Sequence, residues 1–468
     1  MNRFDVLFDD VLLEIFDFYV DINLSYGGRR MIEAWQSLAH VCRRWRRLVF
    51  GSPIRLNLQL LCTPETPAKD KLDIWPALPL VVRGDINMAF APHMDNIIAA
   101  LEQSNRVCEV FLLDLEDWQL EEVLAAMQVP FPELRDLQLS SRGGTLSVIP
   151  DSFLDGSTPR LQVFSLGGIP IAGFPNLLLS TTHLLSLTLF DIPHSGYISP
   201  EAIVVLLRAL SSLEKLSLGF QSPESRPDQG GRRSSPSKRS VLPALRRLDF
   251  KGVTDYLEKL VTCIDTPQLD EIDITFFHQS DFDCPQLTQF INRTPTLGER
   301  NKARVEFGFS STSVTLLPWT RTFAMKILCR DPGRQLSSIA EVCNSSLYHP
   351  LSTVEDLYIE RQSWRCVWKI DTIESTPWLQ LLLPFTVVKN LCLFEEFAPC
   401  IGAALQELVG ERITEVFPSL RNIYVEGLEP SGRSSFRENV EQFVVARQLS
   451  GHPVAISVWD EDSGMGWF

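Results

Sequence analysis

The sequence predicts an α/β protein. A small helical module in residues 1–60 precedes a solenoid, a curved parallel sheet with helices on its convex side. Three observations carry this expectation. An apolar phrase recurs from Val107 nearly to the end of the chain. Proline stands at a fixed distance before many of its copies. The N-terminal segment, by contrast, shows the periodicity of helices.

The module comes first. Val11, Leu12, Ile15, Phe16 and Tyr19 fall at helical spacing and predict one apolar face. Asp9 and Asp10 suit the start of that helix, as caps and as charges favourable to its dipole. Gly27-Gly28 interrupts the chain. A second periodic run follows through Ile32, Trp35, Leu38, Val41, Cys42, Trp45, Leu48 and Val49, ending at Gly51-Ser52-Pro53. A helical piece of this size is marginal alone, so an apolar patch surviving on it marks a partner site. Arg43, Arg44, Arg46 and Arg47 read as the solvated face of an amphipathic helix more readily than as a nucleic-acid site.

Residues 61–106 are expected to connect the module to the solenoid and to form its first unit. The stretch Ile54 to Leu61, with Leu56, Leu58 and Leu60 alternating, predicts the first strand. Over 107–460 the phrase apolar-x-x-apolar-x-apolar begins at Val107, Leu134, Leu161, Leu184, Leu213, Leu245 and Leu269. The intervals are 27, 27, 23, 29, 32 and 24 residues. Weaker copies start at Val354, Val388 and Leu420, and Lys302-x-x-Val305-x-Phe307 resembles a degenerate one. The last two apolar positions alternate as a short strand requires, and each strand needs a neighbour to cover its inner side. Pro132, Pro243, Pro267 and Pro418 open a repeated Pro-x-Leu-x-x-apolar phrase. Helices are predicted at Asn96–Leu101, at Glu201–Leu210 behind a Ser199 cap with Pro200 at its first position, and at Asp255–Val261. Residues 221–240 carry hardly an apolar side chain and read as a disordered insertion, with Ser235-Pro236 as a modification candidate. Val454–Val458 predicts the last strand and 461–468 a frayed tail.

Two resemblances follow. The phrase and its period resemble leucine-rich repeats, which recur at roughly 20–29 residues. The N-terminal blocks Leu7-Phe8-Asp9-Asp10-Val11-Leu12-Leu13-Glu14-Ile15-Phe16 and Leu38-x-x-Val41-Cys42-Arg43-x-Trp45-x-x-Leu48 resemble the F-box. As a whole the chain resembles the F-box proteins with a repeat body that fungi carry in large numbers. That resemblance implies a non-catalytic substrate receptor of a cullin-type (SCF) ubiquitin ligase, working by proximity in ubiquitin-dependent protein degradation. It implies contact with the ligase adaptor through Leu7, Val11, Leu12, Ile15, Phe16, Leu38, Val41, Cys42 and Trp45. The chain departs from the family at Phe8, where proline is usual, and in the long connection from Asp21 to Arg30. These departures favour the alternative of a repeat scaffold or sensor that no longer binds the adaptor.

A protein target is expected on the outward strand positions. There the later repeats offer Asp249, Asp273, Tyr358, Glu360, Tyr424 and Glu426, a surface suited to a basic segment. The net charge of −15 argues against general nucleic-acid affinity, and no apolar run is long enough for a membrane span. Ten cysteines without a CxxC pair read as free thiols of an intracellular protein. Phosphate-binding loops, nucleophile elbows and metal-binding histidine spacings are absent, so no cofactor is expected. A hydrolase or transferase assembled from distant residues is the remaining alternative.

Overall fold

A computed structural model describes residues 7–25, 34–72, 77–84, 94–142, 148–171, 176–224, 239–297, 300–317, 322–345, 347–362, 375–394, 396–408, 410–426 and 435–459. Most of the expected insertion (225–238) and the tail (461–468) lie outside them, as do Gly27, Gly28, Ile32, Ser235 and Pro236. The chain divides into two compact units, Met1–Ile198 and Ser199–Phe468.

The first unit opens with helices α1 (Asp9–Ser25), α2 (Ala34–Val41) and α3 (Arg43–Gly51). The single run predicted across Leu38 and Trp45 is broken at Cys42, whose backbone is extended (φ −158°, ψ 170°). Cys42 instead caps α3, its thiol accepting from the Trp45 amide at 3.4 Å. The expected first strand is also corrected. Residues 53–57 fold into tight turns, with Leu58 N donating to Pro53 O at 2.9 Å and Asn57 at φ +43°. Leu56 and Leu58 still bury their side chains.

The strand begins later, as β1 (Leu60–Cys62), followed by α4 (Ala68–Lys71), β2 (Leu80–Gly84), α5 (Met94–Leu101), β3 (Val107–Leu115), α6 (Asp117–Ala126), β4 (Asp136–Ser141), β5 (Val163–Gly167), α7 (Asn176–Ser180) and β6 (Ser186–Ile192). β1 to β6 pair in chain order, every pairing parallel. The register aligns the repeat: Leu137 with Phe164 with Leu187, and Leu139 with Leu166 with Leu189. All six are essentially fully buried.

The proline punctuation has a direct cause. In Phe131-Pro132-Glu133-Leu134, Leu134 N donates to Phe131 O at 3.3 Å, and the same turn closes at Leu161 on Thr158, Leu245 on Leu242, Leu269 on Thr266 and Leu420 on Phe417. Proline holds the second position in each, where its fixed φ suits the turn. The turn delivers the following residues into the ladder, so Arg135 N reaches Cys108 O at 2.8 Å.

The second unit runs α8 (Pro200–Ala209), β7 (Lys215–Phe220), β8 (Ser240–Val241), β9 (Arg247–Gly252), α9 (Thr254–Cys263), β10 (Ile264–Asp265), β11 (Glu271–Phe277), α10 (Pro285–Asn292), β12 (Lys302–Phe307), β13 (Ser311–Leu317), β14 (Phe323–Leu328), α11 (Pro332–Ser345), α12 (Tyr348–Leu351), β15 (Asp356–Arg361), α13 (Ser375–Leu382), β16 (Asn390–Leu393), α14 (Ala398–Gln406), β17 (Asn422–Glu426), α15 (Ser435–Leu449) and β18 (Ala455–Trp459). Ser199 caps α8 as expected, accepting from Ala202 N at 3.2 Å. The main sheet has the order β7-β9-β11-β14-β13-β12-β15-β16-β17-β18, while β8 and β10 form a separate parallel pair.

Among the described residues only β13 breaks the parallel rule, running antiparallel to both β14 and β12. The 302–307 copy is therefore a strand, but it enters the sheet beside β15, away from β11. Helices pack side by side against the buried face, α8 on α9 on α10 and α11 on α13 on α14 on α15. Beneath them Phe220, Phe250, Tyr256 and Phe276 interlock at centroid distances of 4.7 to 6.5 Å.

Candidate functional site

The sequence reading names two surfaces, one on each unit. In the N-terminal module α1 is apolar on two sides, and the structure separates them. Leu12, Leu13, Phe16 and Val20 face inward and are buried. Val11, Ile15, Phe18 and Tyr19 face out, and Phe8 precedes them at 79% exposure. The spacing Phe8, Val11, Ile15, Phe18 follows the helical period, so these residues form one stripe. Val41 (58% exposed) and the capping residue Cys42 are exposed at the α2–α3 junction.

Of the residues named for the adaptor, Val11, Ile15, Val41 and Cys42 are therefore open to a partner. Leu12, Phe16 and Leu38 are interior, and Leu7 and Trp45 are half-buried. The expected common face for Val11 and Leu12 does not form, because a helix turns consecutive residues about 100° apart. Sequence reading missed Phe18, although it lies three residues beyond Ile15.

Several contacts fix the module. Trp45 tilts over Phe16 with centroids 4.7 Å apart. Arg44 pairs with Asp9 at 2.6 Å and donates to the Leu7 carbonyl, tying α3 to the start of α1. Arg46 donates to Ala39 O at 3.0 Å, and Arg43, Arg46 and Arg47 are solvated. Trp35, buried to 4%, donates its indole N–H to Gln59 O at 2.9 Å, joining the module to the residue before β1.

In the second unit the outward strand positions form two rows. The register places Asp249, Asp273, Ala324, Thr315, Arg304, Tyr358, Cys392, Tyr424 and Ser457 in the first. The second contains Lys251, Thr275, Lys326, Ser313, Glu306 and Glu360, with Glu426 beside Trp459 at its far end. Asp249 and Asp273 are thus neighbours, and Tyr358 and Tyr424 flank Cys392. The two groups are separated by β14, β13 and β12.

The expected acidic strip is corrected accordingly, because Lys326 and Arg304 stand inside it. They were missed because the antiparallel insertion breaks the phrase. Its strands do carry a period-two signal, in Val314 and Leu316 and in Phe323, Met325 and Ile327, all buried.

Asp249 is already occupied: Arg247 grips it at 2.9 and 3.1 Å and reaches on to Glu271 at 3.0 Å. Crowding on the sheet face and the neighbouring Asp249 carboxylate raise the pKa of Asp273, against the pull of Arg247 and Lys326. Its side chain nevertheless remains solvent-exposed. Glu360 is not a surface reader. It is 5% exposed and meets Arg304, itself 8% exposed, at 2.6 Å, although the Arg304 Nε–H points off the line to the carboxylate. Burial pushes the Glu360 carboxyl up to about 7; Arg304 opposes this, and Glu306 and Glu426 add to it. Tyr358 is raised to about 12, first by burial and then by Cys392 and Asp356. At the ends of these strands Asn390 donates to Asp356 at 2.7 Å and Asn422 to Asn390 at 2.8 Å, a side-chain ladder that locks the register.

Among the described residues no group of three or more His, Cys, Asp or Glu could hold a metal ion, and no helix is long and apolar enough to cross a membrane. No protein-family model matches the chain, and no curated protein matches it. Among solved structures it is similar to the leucine-rich repeat-containing protein LegL7 from Legionella pneumophila. The identity is 15% over 75% of this chain and 92% of that one, with a TM-score of 0.26. The repeat architecture stands on the strand registers described above: one parallel strand per repeat, with helices packed on the buried face.

Proposed function

We propose that this chain is a non-catalytic substrate receptor: its N-terminal module docks on the adaptor of a cullin-type (SCF) ubiquitin ligase and its repeats hold a protein target. The observation that supports this reading is the outward stripe Val11, Ile15 and Phe18 on α1, with Phe8 just ahead of it. It lies on the residues whose sequence resembles the F-box. A contiguous apolar patch on a small module is the usual mark of a protein partner. The Trp35–Gln59 hydrogen bond supports a stiff join between module and first strand, which delivery by proximity requires.

The test is titration of the purified adaptor into the full chain and into its Val11→Asp and Ile15→Asp variants. Both positions are exposed, so the fold should survive. Binding should weaken at least about tenfold in each. Leu12→Asp would be uninformative, since Leu12 is 1% exposed and the change would unfold the module. Absence of binding by the unaltered chain would refute the ligase reading. It would favour the second one, a repeat scaffold or sensor, which the departure from the family's proline at position 8 supports.

A further inference from the structure

A cleft of about 330 Å³ lies where consecutive repeats of the first unit turn into their strands, lined by Arg135, Pro159, Arg160, Gln162 and His183. The repeat itself assembles it. Arg160 and His183 occupy the same position, directly before Leu161 and Leu184; Arg135 and Gln162 directly follow Leu134 and Leu161. Adjacent strands stand about 4.8 Å apart, so equivalent positions of neighbouring repeats are brought close together.

The result is unlike the rest of an acidic chain. Two guanidinium groups and an imidazole line one cleft, and no carboxylate lines it. Arg160 is held by Glu133, which stands outside this lining but shares the neighbouring hollow with Arg135. The Arg135 guanidinium makes no hydrogen bond or ion pair with the described residues and is exposed. Glu133 offsets one of the two guanidinium charges, and the other is left for a further anion. The Gln162 amide and the His183 ring offer further N–H groups around the same space. Planar arginine forks beside further N–H donors suit a tetrahedral oxyanion, and a doubly charged one gains most.

We propose that this cleft binds a phosphate monoester, with Arg135 as its principal ligand and Arg160, Gln162 and His183 completing the donor set. The site lies apart from the stripe on α1 and stands whether or not the module docks an adaptor. Two sources share this chemistry, a small phosphorylated metabolite and a phosphorylated side chain on a protein.

The probes are inorganic phosphate and O-phosphoserine, followed by ³¹P line broadening on titration with the full chain. A fluorescent phosphoserine peptide and its unphosphorylated twin are followed by anisotropy. Arg135→Ala should weaken phosphoserine binding about tenfold and Arg135→Lys less, because it keeps the charge and loses the fork. Arg142→Ala, outside the lining, should change nothing. Circular dichroism establishes that each variant is folded. Peptide binding at least about tenfold tighter than free phosphoserine identifies a protein source, and equal affinity a small molecule. Binding unchanged in Arg135→Ala, equal binding of the unphosphorylated peptide, or no broadening by the unaltered chain would each overturn the assignment.

Discussion

Replacing Glu360 by glutamine is expected to stabilise the second unit above about pH 7 and to have little effect below about pH 5. The carboxyl moves from its ordinary 4.5 to about 7 on folding, because burial disfavours its charge more than Arg304 restores it. Between those values the folded state keeps a proton that the unfolded chain has released. The folded state thus binds more protons, and stability falls as pH rises through the window. At roughly 1.4 kcal/mol per pKa unit, the full loss is roughly 3 kcal/mol. Glutamine is neutral throughout and removes this dependence, though it surrenders the charge contact with Arg304. Glu306 and Glu426, whose charges bear on the Glu360 carboxyl, remain when it is neutralised. The net gain at pH 8 should be about 1–2 kcal/mol. Urea unfolding of both proteins between about pH 5 and 8 reads this directly, because urea leaves ion pairs unscreened. If Glu360→Gln loses the same stability at every pH, Glu360 is an ordinary paired carboxylate and the reasoning is wrong.

Other expectations follow from single contacts. Arg447 is fully buried and donates to the carbonyls of Ile413 (3.1 Å) and Phe417 (3.3 Å), so Arg447→Met should cost about 2 kcal/mol in urea and expose α15 to proteolysis. Phe164 is fully buried on β5, and Phe164→Ala should cost about 3–5 kcal/mol in the first unit's unfolding. Among the described cysteines, Cys42 is exposed, whereas burial raises Cys343 and pushes Cys108 up to about 12. A thiol reagent at about pH 8 should modify Cys42 rapidly and the other two only on unfolding, as peptide mapping would detect.

Much of the repeat was legible because two local rules agree on it. The phrase beginning at Leu134, Leu161 or Leu245 fixes which side chains point inward, and the proline four positions before the first strand residue fixes where the turn closes. Where either rule lapses, the reading fails. The strand β2 was missed because Leu80-Val81-Val82 are all buried and show no alternation. Ile54 to Leu58 alternates as a strand would, yet its backbone closes on itself in turns, burying Leu56 and Leu58 and leaving Ile54 94% exposed. On α1 the apolar residues cover two sides, and periodicity alone could not say which side the rest of the module would take.

The antiparallel insertion has the largest consequence for recognition. A strictly repeating chain would set Asp249 and Asp273 in one line with Tyr358 and Tyr424, with Glu360 in the row beside it, and a uniformly basic segment would fit along it. The reversal at β13 instead carries Arg304 and Lys326 into the middle of the sheet. A basic segment crossing from β11 to β15 would meet these cations, and Glu360 is already spent on one of them. What remains exposed is an acid at Asp273 on one side and a partly open Tyr358–Cys392–Tyr424 band on the other. A target that engages both must present a positive group and an apolar or aromatic one about 20 Å apart, the width of the intervening strands. Asp273→Lys and Tyr424→Ala should then each weaken the same target. Loss with Tyr424→Ala alone would confine recognition to the C-terminal band.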